Sequence, residues 1–404
     1  MAGEVTAILE IGTSNIRCLV GEVRDDNIVS IVAIGESKSK GIRKGEISNH
    51  DDAISSIRNA LKNTEKNYRK NIHSIVLTLS GGNTSSFISE GIHKVADYEQ
   101  NIAQEVLLDD INQVTTIAEK IVLNEKRIRL HSLQQYFQVD DMKQVLDPIG
   151  LRCETLKLEM LIVHGKRSVV SNFQKLVSDV PINCVDAVYS GLGSSLAVTN
   201  EEMRKAGVLI IDLGGGTTDY IFYYDGLLKK CGSLTLGGDH ITNDIATGLQ
   251  IPIKNAEELK IKEGSALSNL LERDRNISLP SDTQGFSGKI IRAVTLNTII
   301  EARIEEIFQL IKKDINESFQ SISLGAGILL TGGGSYLNGT RDLAQRVFDT
   351  RCIIGKPIDV QGLPSSHEGP NYAALIGCIR YSNKINKKVY NPSLFKRFFR
   401  MIWG

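Results

Sequence analysis

The chain has 404 residues, 41% of them hydrophobic, with 47 Lys plus Arg balanced by 47 Asp plus Glu. That length implies two or more domains with ordinary cores, and zero formal net charge gives no general attraction for nucleic acid. The six cysteines, Cys18, Cys153, Cys184, Cys231, Cys352 and Cys378, form no C-x-x-C pair, which argues against structural zinc or a disulfide framework and for a reducing cytoplasm. With no cleavable leader and no run of about 18 apolar residues, neither secretion nor a membrane span is expected.

Ala7 to Ile11 reads as a buried strand, Gly12 to Asn15 as a bend and Ile16 to Val23 as the returning strand. Thr84 to Val163 looks like an insertion, with a helix from Asp110 whose face carries Ile111, Val114, Ile117, Ala118 and Ile121, and an alternating strand through Leu156, Leu158, Met160 and Ile162. The strand-bend-strand plan then repeats, with Val208 to Leu213, a turn at Gly214 to Thr218, and Tyr220 to Tyr224. A second insertion runs over 246–307, in which Glu272 to Gly288 reads as a long polar loop. A helix follows, with Ile299, Ile300, Ile304, Ile307, Phe308 and Ile311 on its buried side. Gly327 to Thr331 is a third strand, followed by Gly332, Gly333, Gly334 and Ser335 and by a helix predicted over Leu337 to Val347.

Three glycine-rich turns after apolar strands have a simple common purpose. A phosphate needs backbone N–H groups pointing at it and no Cβ in the way. Gly12, Thr13, Ser14 and Asn15, and then Gly214, Gly215, Gly216, Thr217 and Thr218, form two such turns, and facing one another they could hold a phosphate chain. An acid stands just before each bend, Glu10 and Asp212, placed to hold a hydrated Mg²⁺, which keeps most of its waters and takes carboxylate and phosphate oxygens for the rest. The third turn, leading into a helix, suits an anion or a ribose and base edge. One shared nucleotide site is the expectation. Asp219 could assist the metal or water, or could stabilise the turn. His240 is read as a packing residue rather than a base.

On these turns, together with Asp147-Pro148-Ile149-Gly150, Ser190-Gly191-Leu192-Gly193-Ser194-Ser195, Gly237 to Ala246 and Ala256 to Lys260, the sequence resembles the actin, Hsp70 and sugar-kinase superfamily. Within that superfamily it is most similar to the FtsA family of bacterial cell-division proteins. The resemblance implies an α/β fold with a duplicated actin-like, ribonuclease-H-like core, two inserted subdomains and a C-terminal amphipathic helix. It divides the chain into a first core half (1–83, 164–200 and 371–381), an FtsA-type insertion (84–163), a second core half (201–245 and 308–370), an adenine-side insertion (246–307), a linker (382–391) and a terminal helix (392–404). ATP with Mg²⁺ is the implied ligand, with Gly238, Asp239 and Asn243 near it and Glu257 and Lys260 against the base. The implied partners are the tubulin-like ring protein FtsZ, further copies of the chain, and later division proteins at the 84–163 insertion.

The last residues carry a second signal. After Glu368 there is no acid, while Arg380, Lys384, Lys387, Lys388, Lys396, Arg397 and Arg400 accumulate. Asn391 and Pro392 suit an N-cap and first helical position, and Ser393 to Trp403 would form a helix of about 16 Å. Leu394, Phe395, Phe398, Phe399 and Ile402 share one face, flanked by Met401 and Trp403, with Lys396, Arg397 and Arg400 opposite. That composition suits a helix lying in an anionic bilayer interface, tethered by the polar segment Ser382 to Tyr390. Peripheral attachment to the cytoplasmic face of the inner membrane, at the division site, is therefore expected.

Two departures bear on chemistry. Relatives carry Asp and Lys where this chain has Glu10 and Asn15, with Arg17 two residues on, and Ser190 to Gly193 offers no acid to orient an attacking water. Nucleotide binding without efficient hydrolysis is expected, since loss of a general base costs typically 10² to 10⁴-fold. A kinase of the same superfamily would need a catalytic acid beside a second substrate. A pilus-assembly scaffold would lack the terminal helix.

Overall fold

The computed structural model describes residues 5–81, 84–95, 102–268, 275–279, 287–319 and 323–390, with side chains as far as Asn383. Its core is one plan used twice. Thr6–Ile11, Asn15–Val23 and Val29–Lys38 form an antiparallel meander, and Ser74–Leu79 and Asn183–Tyr189 then add in parallel on the side of the first strand. Val208–Leu213, Thr218–Tyr224 and Leu227–Leu234 form the second meander, extended in parallel by Gly327–Thr331 and Cys352–Ile354.

The first strand of each half is buried on both faces, which is why it reads as a continuous apolar run. Ile8 and Ile210 point into a shared middle core, while Leu9 and Ile211 point into the outer core of their own half. The middle core is filled by Leu192 and Leu196 of helix Ser190–Val198 and by Leu375, Ile376 and Ile379 of helix Ala373–Tyr390. Helix His50–Tyr68 covers the outer face of one sheet, and Gly238–Leu249 and Ala293–Ser318 cover that of the other. The loops at the ends of the two first strands therefore meet over the central helices.

The inserted subdomain is an antiparallel sheet of Ser85–Lys94, Thr155–Lys166, Arg127–Val139 and Met142–Val145 under helix Leu108–Glu119. It joins the second half's sheet through the Gly232 and Ser85 pair, giving nine continuous strands. Leu156, Leu158, Met160 and Ile162 are all buried, as their alternation predicts. The helix is narrower than expected: Ile111, Val114 and Ala118 are buried, whereas Ile117 is 39% exposed and Ile121 lies beyond the helix end at 41%. One side of the helix meets Ser89 and Gly91 of the sheet, and Ile117 is off that side.

Three other expectations are corrected. Within the supposed polar loop, Asn276–Leu279 is a strand paired with Lys289–Arg292, because Ile277 and Ile291 face each other and are buried. The helix after the third turn starts at Thr340 rather than Leu337, since Gly333–Tyr336 forms a 3₁₀ turn and Asn338-Gly339 intervenes with Gly339 in left-handed backbone. Ser382 to Tyr390, expected as a tether, continues the helix from Ala373. The membrane-type helix, Ser393 to Trp403, lies outside the described residues, among which no helix is long and apolar enough to cross a membrane.

Candidate nucleotide site

The two hairpin turns are superposable in their hydrogen bonding. Gly12 N donates to Asn15 O at 3.1 Å and Gly214 N donates to Thr217 O at 2.9 Å, each closing a four-residue loop. They touch tip to tip: Ser14 Oγ lies against Gly215 and Thr13 Oγ1 against Gly216, where a Cβ would overlap Thr13. Thr217 Oγ1 bonds Ser80 Oγ at 2.7 Å. Behind the tips is a cleft of about 150 Å³ lined by both turns, by Gly45, Ser80 and Ser190, and by Gly332 and Gly333 of the third turn. That is below the roughly 300 to 1,000 Å³ of whole ligand pockets, so the cleft suits a phosphate chain, with the rest of a ligand outside it.

Gly332 has a φ of +78°, and a Cβ there would run into Asp212 Oδ1. Only glycine lets this loop close on the acid. Gly334 packs on Leu213, and Ser335, buried, donates from Oγ to Gly332 O at 2.7 Å, so these two shape the loop rather than line the cleft. Thr218 likewise points away, donating to Leu236 O at 2.8 Å.

Among the described residues, three carboxylates and one cation line the cleft: Glu10, Asp212, Asp219 and Arg17. Cross-strand register places Glu10 opposite Arg17 and Asp212 opposite Asp219. Arg17 Nη1 bonds Glu10 Oε2 at 3.1 Å and Asn371 O at 3.2 Å, and its Nε bonds Glu36 Oε2 at 3.2 Å. With the Asn15 amide turned so that both its atoms are satisfied, Arg17 Nη2 also reaches Asn15 Oδ1 at 3.3 Å. Arg17 lies over the Tyr372 ring, and Tyr372 Oη donates to Glu36 at 2.6 Å.

Burial dominates the acids. It raises Glu10 above the ordinary glutamate range despite the Arg17 guanidinium beside it. It pushes Asp212 up to about 7, with the Asp219 charge adding to the effect and a hydrogen bond from Ser194 opposing it. Asp219 is also raised by burial, although Ser190 and Ser80 donate to its Oδ2, the latter at 2.8 Å. Asp219 Oδ1 makes no hydrogen bond among the described residues. An unpaired buried carboxylate oxygen beside a second carboxylate is costly without a cation. Among the described residues no group of three or more His, Cys, Asp or Glu can hold an ion alone, so Asp212 and Asp219 fit a cation that takes further ligands from water and phosphate.

On the other side of the second turn, Gly238 N and Asp239 N donate to Gly214 O and Gly215 O at 3.0 and 2.7 Å. The start of helix Gly238–Leu249 thus props the turn with N–H groups that are no longer free. Asn243 is half-buried on the same helix. Lys260 Nζ bonds Gly238 O at 3.0 Å, Thr242 Oγ1 at 2.8 Å and Glu257 Oε2 at 2.6 Å, and Thr242 Oγ1 donates to Glu257. Glu257 and Lys260 therefore stand together over that helix start. His240 Nδ1 accepts from Gly237 N at 3.3 Å, a capping role consistent with packing.

Arg17, Ser80, Ser190 and Asn371 line the cleft without having been expected there, and Ser194 supports Asp212 from behind. Two signals were available. A four-residue turn fixes the register that puts position 17 opposite Glu10, and Ser190 and Ser194 have the i, i+4 spacing that presents two hydroxyls on one helix face.

The sequence matches the family described as "Cell division protein FtsA" over residues 209–377 and the "SHS2 domain inserted in FTSA" over 81–164. It is 30% identical to the cell division protein FtsA of Pseudomonas aeruginosa, spanning 94% of this chain and 89% of that protein. It is 31% identical to the Buchnera aphidicola protein from Acyrthosiphon pisum, spanning 98% and 95%. Among solved structures, it is similar to a PilM-PilN type IV pilus biogenesis complex with a TM-score of 0.62 at 15% identity, spanning 93% of this chain and 98% of that one. It is also similar to MreB 5 of Spiroplasma citri bound to AMPPNP, with a TM-score of 0.56 at 14% identity over 96% and 99%. These two likenesses establish the actin-like fold. With relatives of 30% and 31% identity along nearly its whole length, the chain belongs to the FtsA family of cell division proteins.

Proposed function

We propose that this protein binds ATP with Mg²⁺ between its two hairpin turns, self-associates on the membrane, and tethers FtsZ filaments to it. The observation that carries the nucleotide part is the meeting of two equivalent glycine turns over Asp212 and Asp219. Asp212 and Asp219 would hold magnesium there, through water, and the ion would supply positive charge against the carboxylates and the phosphates. Thr13, Ser14, Gly215, Gly216 and Gly333 would supply backbone and hydroxyl donors to the phosphate chain, with Glu257 and Lys260 on the base side. Ligand contacts from both turns would favour the closed arrangement of the two halves, so ATP acts as a structural ligand that promotes filaments.

The central helix presents Ser190 but no acid to the cleft, which supports slow hydrolysis at most. The 84–163 insertion would recruit later division proteins. The basic aromatic tail, 392–404, would lie in anionic lipid at the cytoplasmic face of the inner membrane. Burying two or three of its aromatics at about 1.5 to 3 kcal/mol each makes a reversible anchor, strengthened when copies assemble.

Co-sedimentation with phosphatidylglycerol vesicles separates the parts of this proposal. The full chain should pellet with the lipid, more completely with Mg-ATP, whereas a chain ending at Tyr390 should stay in solution while still binding ATP. Equal recovery of both chains would refute the tether.

A further inference from the structure

The charge balance of the cleft is incomplete. The one Lys or Arg among its described lining residues, Arg17, is committed to Glu10, Glu36, Asn371 and Asn15. Lys260, a cation of the second half beside Gly238, is committed to Glu257, Thr242 and Gly238. A nucleoside triphosphate would bring several negative charges to a place already holding three carboxylates. Neutralising it takes more than one metal ion.

A small hairpin supplies the missing charge. Ile42–Arg43 pairs with Glu46–Ile47 around Lys44 and Gly45, whose φ values of +53° and +70° make a type I′ turn. This tip is docked on the phosphate-type turns. Gly45 lines the cleft and donates from N to Thr13 Oγ1 at 3.3 Å. A Cβ on Gly216 would stand 3.0 Å from Lys44 Cα, so the root of the lysine side chain is in contact with the second turn. Arg43 and Lys44 are both exposed, and no ion pair or hydrogen bond of either side chain occurs among the described residues. Their charges are felt across the cleft: burial and then Lys44 hold His240 below the ordinary histidine range, and Arg43 opposes the burial-driven rise of Asp239.

We infer that Lys44, at the tip of this hairpin, is a phosphate-binding residue that closes over the terminal phosphate of a bound nucleoside triphosphate, with Arg43 adding to the local positive field. This rests on the nucleotide reading above and extends it to a residue outside the glycine turns. A flexible lysine can follow the phosphate as the halves close, and it replaces the cation that the first turn lacks at Asn15.

The test is titration of the full-length protein with Mg-ATP, Mg-ADP and AMP, using the wild type, Lys44→Asn and Lys44→Arg. Asn-Gly is a favoured type I′ pair, so Lys44→Asn removes the charge and keeps the turn, which an unchanged melting temperature will verify. Lys44→Asn should weaken ATP binding about ten- to a hundredfold, the range for a hydrogen bond to a charged group, leave AMP within about twofold, and be rescued by Lys44→Arg. Wild-type ATP affinity in Lys44→Asn would overturn the inference and leave the nucleotide reading standing. Equal loss of ATP and AMP would overturn it as well, by showing no phosphate selectivity. A wild type that binds none of the three would overturn the nucleotide reading itself.

Discussion

The two hairpin turns share a backbone and differ in charge. Gly12 to Asn15 and Gly214 to Thr217 close in the same way, but the position opposite the acid is Arg17 in the first and Asp219 in the second. The first turn is compensated internally, its Glu10 held by a guanidinium that also grips Glu36 and the Asn371 carbonyl. The second turn faces two carboxylates at each other, eased by hydroxyl donors from Ser80, Ser190 and Ser194. Duplication preserved the geometry, while divergence at one register position left one turn as an anchor within the first half and the other as a place that favours a cation.

Substitutions at that register position should then have opposite signs. Arg17→Ala strips the partner from Glu10 and Glu36 and should destabilise the fold by about 3 kcal/mol, the lower end for breaking a buried pair, because both acids retain some exposure. Chemical denaturation measures it, and a loss below about 0.5 kcal/mol would show that the network is incidental.

Asp219→Asn removes a like charge instead. Asp212 titrates near 7 in the folded chain against 3.8 as its ordinary value, so between these values the folded state keeps a proton that the unfolded state has lost. Stability in metal-free buffer should therefore fall as pH rises through that window and level off above it. Asp219→Asn should flatten the fall and raise the melting temperature at pH 8 by a few degrees, while weakening the response to Mg²⁺. A lowered melting temperature at pH 8 would contradict the repulsion.

The smallest expected effect is at Ser194. Ser194→Ala deletes one donor to Asp212 and should cost about 1 kcal/mol in stability, an effect that added Mg²⁺ should partly offset. A denaturation midpoint unchanged in both conditions would remove the hydroxyl from the account.

The glycine turns and their acids were legible because apolar runs ending in glycine have few other uses, and the inserted strand was legible because Leu156 to Met160 alternates without a break. The Arg17 network was not, since its partners Glu36, Asn371 and Tyr372 come from segments up to 355 residues away that only the fold assembles. Asn276–Leu279 was misread for a local reason. Its single buried Ile277 gives too little periodicity to mark a strand before its mate Ile291 is known. The helix through Ser382 to Tyr390 was misread because a polar composition was taken as a linker, whereas Ser382 is buried and donates to Cys378 O in an unbroken helix.

The most direct measurement is calorimetric titration of the full chain with Mg-ATP, beside Asp212→Ala. The account predicts one nucleotide bound per chain by the wild type and at least about tenfold weaker binding by the variant, with the difference shrinking when EDTA removes the metal. Equal affinities in the presence of Mg²⁺ would show that Asp212 does not serve the nucleotide.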